Sequence, residues 1–232
     1  MIQTPPPTAE FPPPHAATDE GLLAVGGGLS EARLVAAYRS GIFPWYGPGE
    51  PVLWWSPNPR CVLFPERFKV SRSLAGSMRR GGFEFTLDTA FARVISECAA
   101  PRRGAGQAAG TWITPEMARA YTALHRSGIA HSAEVRRRGQ LVGGLYGLAI
   151  GGVFFGESMF SRASDASKVA LARLIECLLE WDFCLIDCQV CSPHLLSLGA
   201  EALPRAEFLK RLPSALKRPG KPGLWAGAPM RR

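Results

Sequence analysis

No apolar run in the chain approaches the roughly 18 residues that a membrane span needs. The start, Met1-Ile2-Gln3 followed by prolines, has neither the basic flank nor the apolar core of a secretory signal. Histidine is scarce, with four in 232 residues, and none stands beside a candidate nucleophile in a recognisable motif. There is no Gly-x-Ser-x-Gly elbow, which weakens a hydrolase reading. There is also no Gly-Lys-Ser/Thr phosphate loop. Gly26-Gly27-Gly28 opens a helix but lacks the third glycine of a dinucleotide fingerprint, so it reads as a tight turn. ATP and NAD are therefore not expected, and the expected cofactor list is empty. No internal repeat occurs, and charged residues make up only 20%, too few for a disordered body.

What is present is a chain 47% hydrophobic, enough for one large domain or a core domain with a small appendage. Its 27 basic and 19 acidic residues leave a net charge of +8, which favours a polyanionic partner such as nucleic acid. Six cysteines without a leader point to reduced thiols in the cytoplasm.

Residues 1–20 are proline-rich and read as extended. Leu22 to Val25 reads as a strand. A helix capped by Ser30 and stopped by Gly41 follows, with Leu34, Ala37 and Tyr38 on its apolar side. Phe43 to Pro57 reads as an aromatic, proline-rich loop, and a division is expected near residue 65: a small unit over 1–65 and a larger one over 66–232. Beyond it, Phe83 to Leu87 is a predicted strand, Ala90 to Ala99 a helix, and 100–110 a Gly/Ala/Arg-rich loop. Thr114 followed by Pro115 marks a helix start. Ala130 to Val135, Leu141 to Leu148 and Val153 to Met159 read as an antiparallel meander. Ser164 to Trp181 has apolar residues at helical spacing. Phe183 to Val190 is a buried strand, and short helices follow from Ser192 and Arg205. The fold class is α+β, a mixed, largely antiparallel sheet flanked by helices.

Four clusters carry possible chemistry. Cys184, Cys188, Cys191 and His194 mimic half a zinc site, but strand alternation puts Cys191 on the other face from Cys184 and Cys188, so packing is preferred and no metal is expected. The same alternation puts Asp187 and Gln189 together, either as a structural pair or as a site. Glu157 ends an apolar strand, either ion-paired to Arg162 or Lys168, or lining an acidic pocket with Asp187 for a cationic ligand. Trp45, Tyr46, Trp54, Trp55, Trp112 and Tyr121, beside the basic Arg67, Lys69, Arg72, Arg79 and Arg80, could stack on bases and meet phosphates, or be core and solvated surface.

The runs Gly41-Ile42-Phe43-Pro44-Trp45, Leu53-Trp54-Trp55-Ser56-Pro57, Gly110-Thr111-Trp112-Ile113-Thr114, Gly156-Glu157-Ser158-Met159-Phe160-Ser161-Arg162 and Leu185-Ile186-Asp187-Cys188-Gln189 occur in order. Together they resemble the bacterial leucyl/phenylalanyl-tRNA–protein transferases, over about Phe11 to Leu212. The resemblance implies a small N-terminal domain and an acetyltransferase-like (GNAT) domain. It implies transfer of Leu or Phe, less readily Met, from aminoacyl-tRNA to proteins beginning with Arg or Lys, marking them for N-end rule degradation. It implies Asp187 and Gln189 as a catalytic pair and Glu157 as the acid holding the acceptor. Leu145, Phe154, Met159, Leu174 and Ile186 would form the donor pocket. Tyr38, Trp45, Trp112 and Tyr121 would surround the terminal adenosine, and the basic set above would meet the tRNA backbone. Leu145 departs from the Met expected in the family's Gly-Gly-Met-Tyr-Gly run, and Ser192 replaces an expected Asn. A monomer is expected.

The donor is already an activated ester, which agrees with the missing nucleotide motif. Two rival readings stay open: an acyl-CoA-dependent acetyltransferase, and a non-catalytic RNA-binding protein. The segment Arg162-Ala163-Ser164-Asp165-Ala166-Ser167 has no glycine to cradle a CoA pyrophosphate, which counts against the first.

Overall fold

The computed structural model describes residues 10–100 and 111–227. Most of the 100–110 loop, the first prolines and the last five residues lie outside it. In chain order the elements are β1 (Leu22–Val25), α1 (Glu31–Arg39), β2 (Phe43–Pro44), β3 (Leu53–Trp55), β4 (Arg60–Leu63), α2 (Arg72–Arg80), β5 (Glu84–Leu87) and α3 (Phe91–Ala99). Next come α4 (Pro115–Arg126), β6 (Ala130–Arg137), β7 (Gln140–Ile150), β8 (Val153–Ser161), α5 (Ala166–Glu180), β9 (Leu185–Gln189), α6 (Pro193–Ser197), β10 (Glu201–Leu203) and α7 (Arg205–Leu216).

The strands form two sheets: three strands in the order β1-β3-β2, and seven in the order β10-β4-β9-β8-β7-β6-β5. The large sheet is antiparallel except for the parallel pair β8–β9. The expected α+β layout with a mixed sheet is what the chain adopts. The predicted helix starts hold because their caps are made. Ser30 Oγ accepts from the Arg33 amide, and Thr114 Oγ1 accepts from the Met117 amide with Pro115 at the first helical position.

Three features differ from the sequence reading. The aromatic segment 43–57 is not all loop: Phe43 and Pro44 pair with Trp55 and Trp54 of β3, which also pairs with β1. The basic stretch from Arg72 is a helix, capped by Ser71. The expected division near residue 65 falls after β4, which pairs with β9 and β10 and so belongs to the large sheet. By sheet membership the change lies between Trp55 and Arg60.

Two hydrophobic clusters fill the interior. One joins β1, β3, α1, α3, α4 and α7 through Leu34, Tyr38, Trp54, Val94, Tyr121, Tyr146, Phe155 and Phe208. The other, under α5 and α2, holds Leu74, Leu145, Phe154, Leu174 and Ile186. Among the described residues no helix is long and apolar enough to cross a membrane.

Candidate active site

The parallel ladder between β8 and β9 is short. Its registered pairs are Val153 with Leu185, Phe154 with Ile186, and Phe155 with Asp187. Past that point the two strands no longer pair, and a cavity of about 640 Å³ opens beside them. That volume suits a small-molecule or nucleotide-sized group. Its walls include Leu145, Phe154, Met159, Ile186 and Cys188, with Glu157, Trp112 and Tyr146 among them.

Glu157 is placed by a bulge. Tyr146 of β7 pairs with Ser158 and the next residue, Gly147, pairs with Gly156, so Glu157 is left over between them. Such an extra residue bends a strand and re-aims a side chain. Glu157 Oε1 accepts from the Tyr38 hydroxyl at 2.7 Å and from Gln189 Nε2 at 2.8 Å. The hydroxyls of Tyr38 and Tyr121 in turn bond to each other. Glu157 Oε2 is shut off from solvent without a hydrogen-bond partner. Burial pushes the carboxyl up to about 7; hydrogen bonds, led by that from Tyr38, oppose the rise. The ion pairs considered from sequence do not form, because Arg162 pairs with Glu97 and Lys168 with Asp165.

Behind Glu157 lies a second layer. Arg60 Nε and Nη2 donate to Asp187 Oδ1 and Oδ2 at 2.8 and 2.6 Å, with both side chains fully buried. Arg60 Nη1 also donates to the Gly41 carbonyl at 3.0 Å. Asp187 Oδ1 accepts from the Gln189 backbone amide at 3.0 Å, and Gln189 takes a left-handed φ of 63°. The carboxylate therefore fixes the turn that aims Gln189. An acidic pocket shared by Glu157 and Asp187 is overturned: Ile186 and Cys188 line the cavity and Asp187 does not. Its charge is matched by Arg60 instead.

The structure gathers Leu145, Phe154, Met159 and Ile186 on the cavity wall. Leu174 is buried in the same hydrophobic cluster but does not line the cavity. Of the aromatic four, Trp112 lines the cavity and Trp45 is 43% exposed, while Tyr38 and Tyr121 are fully buried with no face to offer a base. The Tyr38 hydroxyl bonds Glu157, and that of Tyr121 bonds Tyr38. Of the basic set, Arg72, Arg79 and Arg80 are exposed on α2 and Lys69 is exposed just before it. Arg67 is paired with Glu201 at the surface and stacked over Phe64.

Cys61, outside the sequence reading, belongs to the hydrophobic cluster against which both Cys188 and Cys191 pack, so Cys188 and Cys191 are not segregated as alternation predicts. A second bulge lies here: Cys61 pairs with Gln189 and Val62 with Asp187, skipping Cys188. No group of three or more residues suited to a metal ion occurs among the described residues. Two site residues escaped the sequence reading. Arg60 heads the apolar run Arg60-Cys61-Val62-Leu63, where a charge calls for a buried partner. Tyr146 carries a buried, unpartnered hydroxyl at the cavity.

Comparison with known proteins identifies the family. The chain matches the family model of the leucyl/phenylalanyl-tRNA protein transferase over residues 62–213 and that of its N-terminal domain over 27–58. It is 58% identical over 222 residues to the leucyl/phenylalanyl-tRNA–protein transferase of Alkalilimnicola ehrlichii, covering 94% of this chain and 85% of that one. It is 54% identical over 221 residues to the enzyme of the same name from Methylococcus capsulatus, covering 94% and 93%. A GCN5-related N-acetyltransferase from Kribbella flavida superposes with a TM-score of 0.40 at 13% identity, covering 73% of this chain and 60% of that one, a likeness too low to bear on fold or function. The chain belongs to the leucyl/phenylalanyl-tRNA protein transferase family.

Proposed function

We propose that this chain moves Leu or Phe, and less readily Met, from aminoacyl-tRNA to the N-terminal amine of proteins that begin with Arg or Lys. The observation that carries the reading is the position of Glu157, a carboxyl on the cavity wall beside the apolar patch of Leu145, Phe154, Met159 and Ile186, held by Tyr38 and Gln189. The donor side chain enters between Leu145, Phe154, Met159 and Ile186, and Trp112 stacks on the terminal adenosine. Arg72, Arg79 and Arg80 give the tRNA backbone a cationic face. The reaction belongs in the cytoplasm, the enzyme works as a monomer, and its products are marked for N-end rule degradation.

The amine nitrogen forms a bond to the ester carbonyl carbon, and the bond from that carbon to the ribose oxygen breaks. The ribose oxygen leaves with a proton. The acceptor ammonium must first lose one. An N-terminal ammonium titrates near 7.7–8.0, close to the value of about 7 for Glu157. Proton transfer between them is nearly balanced, which suits a general base. Gln189 gives its Nε2 hydrogen to Glu157 and so turns its Oε1 toward an amine N–H. Asp187, locked by Arg60, acts through the backbone that aims Gln189.

At the start of α5, where an acyl-CoA pyrophosphate would need a cradle, stands the carboxylate of Asp165, bonded to Ser77 and Lys168. A negative charge there disfavours the acetyltransferase reading. The deciding experiment is transfer of labelled Leu from Leu-tRNA to an Arg-initiated peptide without ATP or CoA. Tight tRNA binding with no labelled peptide would instead mark a non-catalytic RNA-binding protein.

A further inference from the structure

Beyond α7 the chain folds back along the body. Arg218 Nη1 donates to Asp182 Oδ1 at 2.8 Å. Gly220, at a φ of 61°, lies so close to Gly151 that any Cβ there would collide with the Gly151 carbonyl oxygen. Gly128 leaves the same kind of room for Gly223. The segment ends on Trp225, which is only 1% exposed.

Trp225 is fixed from several sides. Its amide donates to Asp88 Oδ2 at 2.7 Å and its Nε1 to the Lys221 carbonyl at 3.0 Å. Asp88 also accepts from His131 Nδ1 and the Ser132 amide, which ties the segment to the β5–β6 end of the sheet. The indole stacks on His131 at 3.7 Å with a 5° tilt and lies 5.0 Å from the Trp181 ring. It also packs on Phe154, ring centres 6.2 Å apart. Phe154 is the cavity-wall residue. Its backbone is held on both sides, by Ala149 of β7 and Ile186 of β9. Only its side chain can respond to what stands behind it.

We propose that Trp225 is a positioning residue that sets donor specificity by holding the Phe154 ring forward and so fixing the depth of the donor pocket. Interiors are close-packed, and a wall residue relaxes toward a space opened behind it. A change of one methylene group in an apolar pocket alters discrimination roughly 10- to 200-fold. Trp225 lies beyond the residues 62–213 that match the family model, so the pocket is completed by a segment outside that match. The inference rests on the transfer reaction proposed above.

The test compares kcat/KM for transfer from Leu-tRNA and from Phe-tRNA to one Arg-initiated peptide, in the native chain, Trp225→Ala and Trp225→Phe, with Tm measured alongside. Trp225→Ala deepens the pocket. The smaller Leu side chain no longer reaches the receding wall while Phe gains room, so the Phe:Leu ratio rises about tenfold. Trp225→Phe moves the ratio the same way by less, and decides the matter alone if Trp225→Ala does not fold. A tail that only stabilises the fold would lower both donors together. An unchanged or falling ratio in a folded variant overturns the proposal. If the native chain transfers neither residue, it is the reaction that fails.

Discussion

Arg60 grips both oxygens of Asp187 from β4, one strand away, and neither side chain meets solvent. A carboxylate so engaged also holds the backbone turn at Gln189. Removing one partner strands the other charge in the interior. Arg60→Met and Asp187→Asn should each cost about 3–5 kcal/mol of stability. The double variant should cost less than the sum, because it leaves no lone charge. Urea denaturation of the four proteins gives the cycle; simple additivity would mean the pair is not coupled.

Glu157 sets the pH dependence. An acid raised to about 7 is protonated below that pH and ionised above it. Because the ionised form attracts the cationic acceptor and takes its proton, kcat/KM should rise through pH 7. Because the acceptor must arrive as the ammonium for this transfer, the rise should level off or turn down as the amine itself titrates near 7.7–8.0. In Glu157→Gln the first inflection should vanish, with Arg- and Lys-initiated peptides losing most. The stability sign is the reverse. A group whose folded pKa is raised contributes most below its ordinary value of 4.5, and that contribution fades as pH rises through about 7. A profile unchanged by Glu157→Gln would take Glu157 out of the chemistry.

Tyr38 stabilises ionised Glu157 through its hydroxyl, so Tyr38→Phe should move the first inflection above 7 without weakening tRNA binding. Trp112→Ala should do the opposite, weakening tRNA by roughly 1–3 kcal/mol, as expected for a missing stacking platform. Filter binding beside pH profiles separates the two. Equal effects on both measurements would collapse the distinction.

The exposed arginines of α2 predict a salt effect. Arg72→Ala, Arg79→Ala and Arg80→Ala should each lessen the slope of log affinity against log salt by about 0.7–0.9 for every phosphate no longer neutralised. Peptide affinity should not change. A slope equal to that of the native chain would leave these arginines as solvated surface.

Much of this arrangement is legible in the sequence, for physical reasons. Ser30, Thr114-Pro115 and the Leu171–Leu178 spacing announce their helices locally. The large meander is legible because strands of period two recur at short intervals. β4 and β10 are not: Arg60–Leu63 and Glu201–Leu203 are too short to show a period, and only the sheet defines them. That is why Arg60 is missed although Asp187 is found. Alternation does separate the cavity face of β9 from the other, but it cannot say which one faces the cavity. The bulge that turns Glu157 inward leaves no trace in composition. The resemblance puts Tyr38 and Tyr121 around an adenosine; in the structure both rings are buried, their hydroxyls bond each other and that of Tyr38 bonds Glu157.

The larger of the two hydrophobic clusters draws Leu23, Trp54 and Ile42 into one interior with Tyr146, Phe155 and Leu212. Two family models divide the chain at about residue 60. Free energy does not respect that division. The first sixty residues would meet water on the face that now meets α7 and the large sheet. Melting is therefore expected as one event, and a substitution at Trp54 is felt at Glu157 as a loss of shared cooperativity.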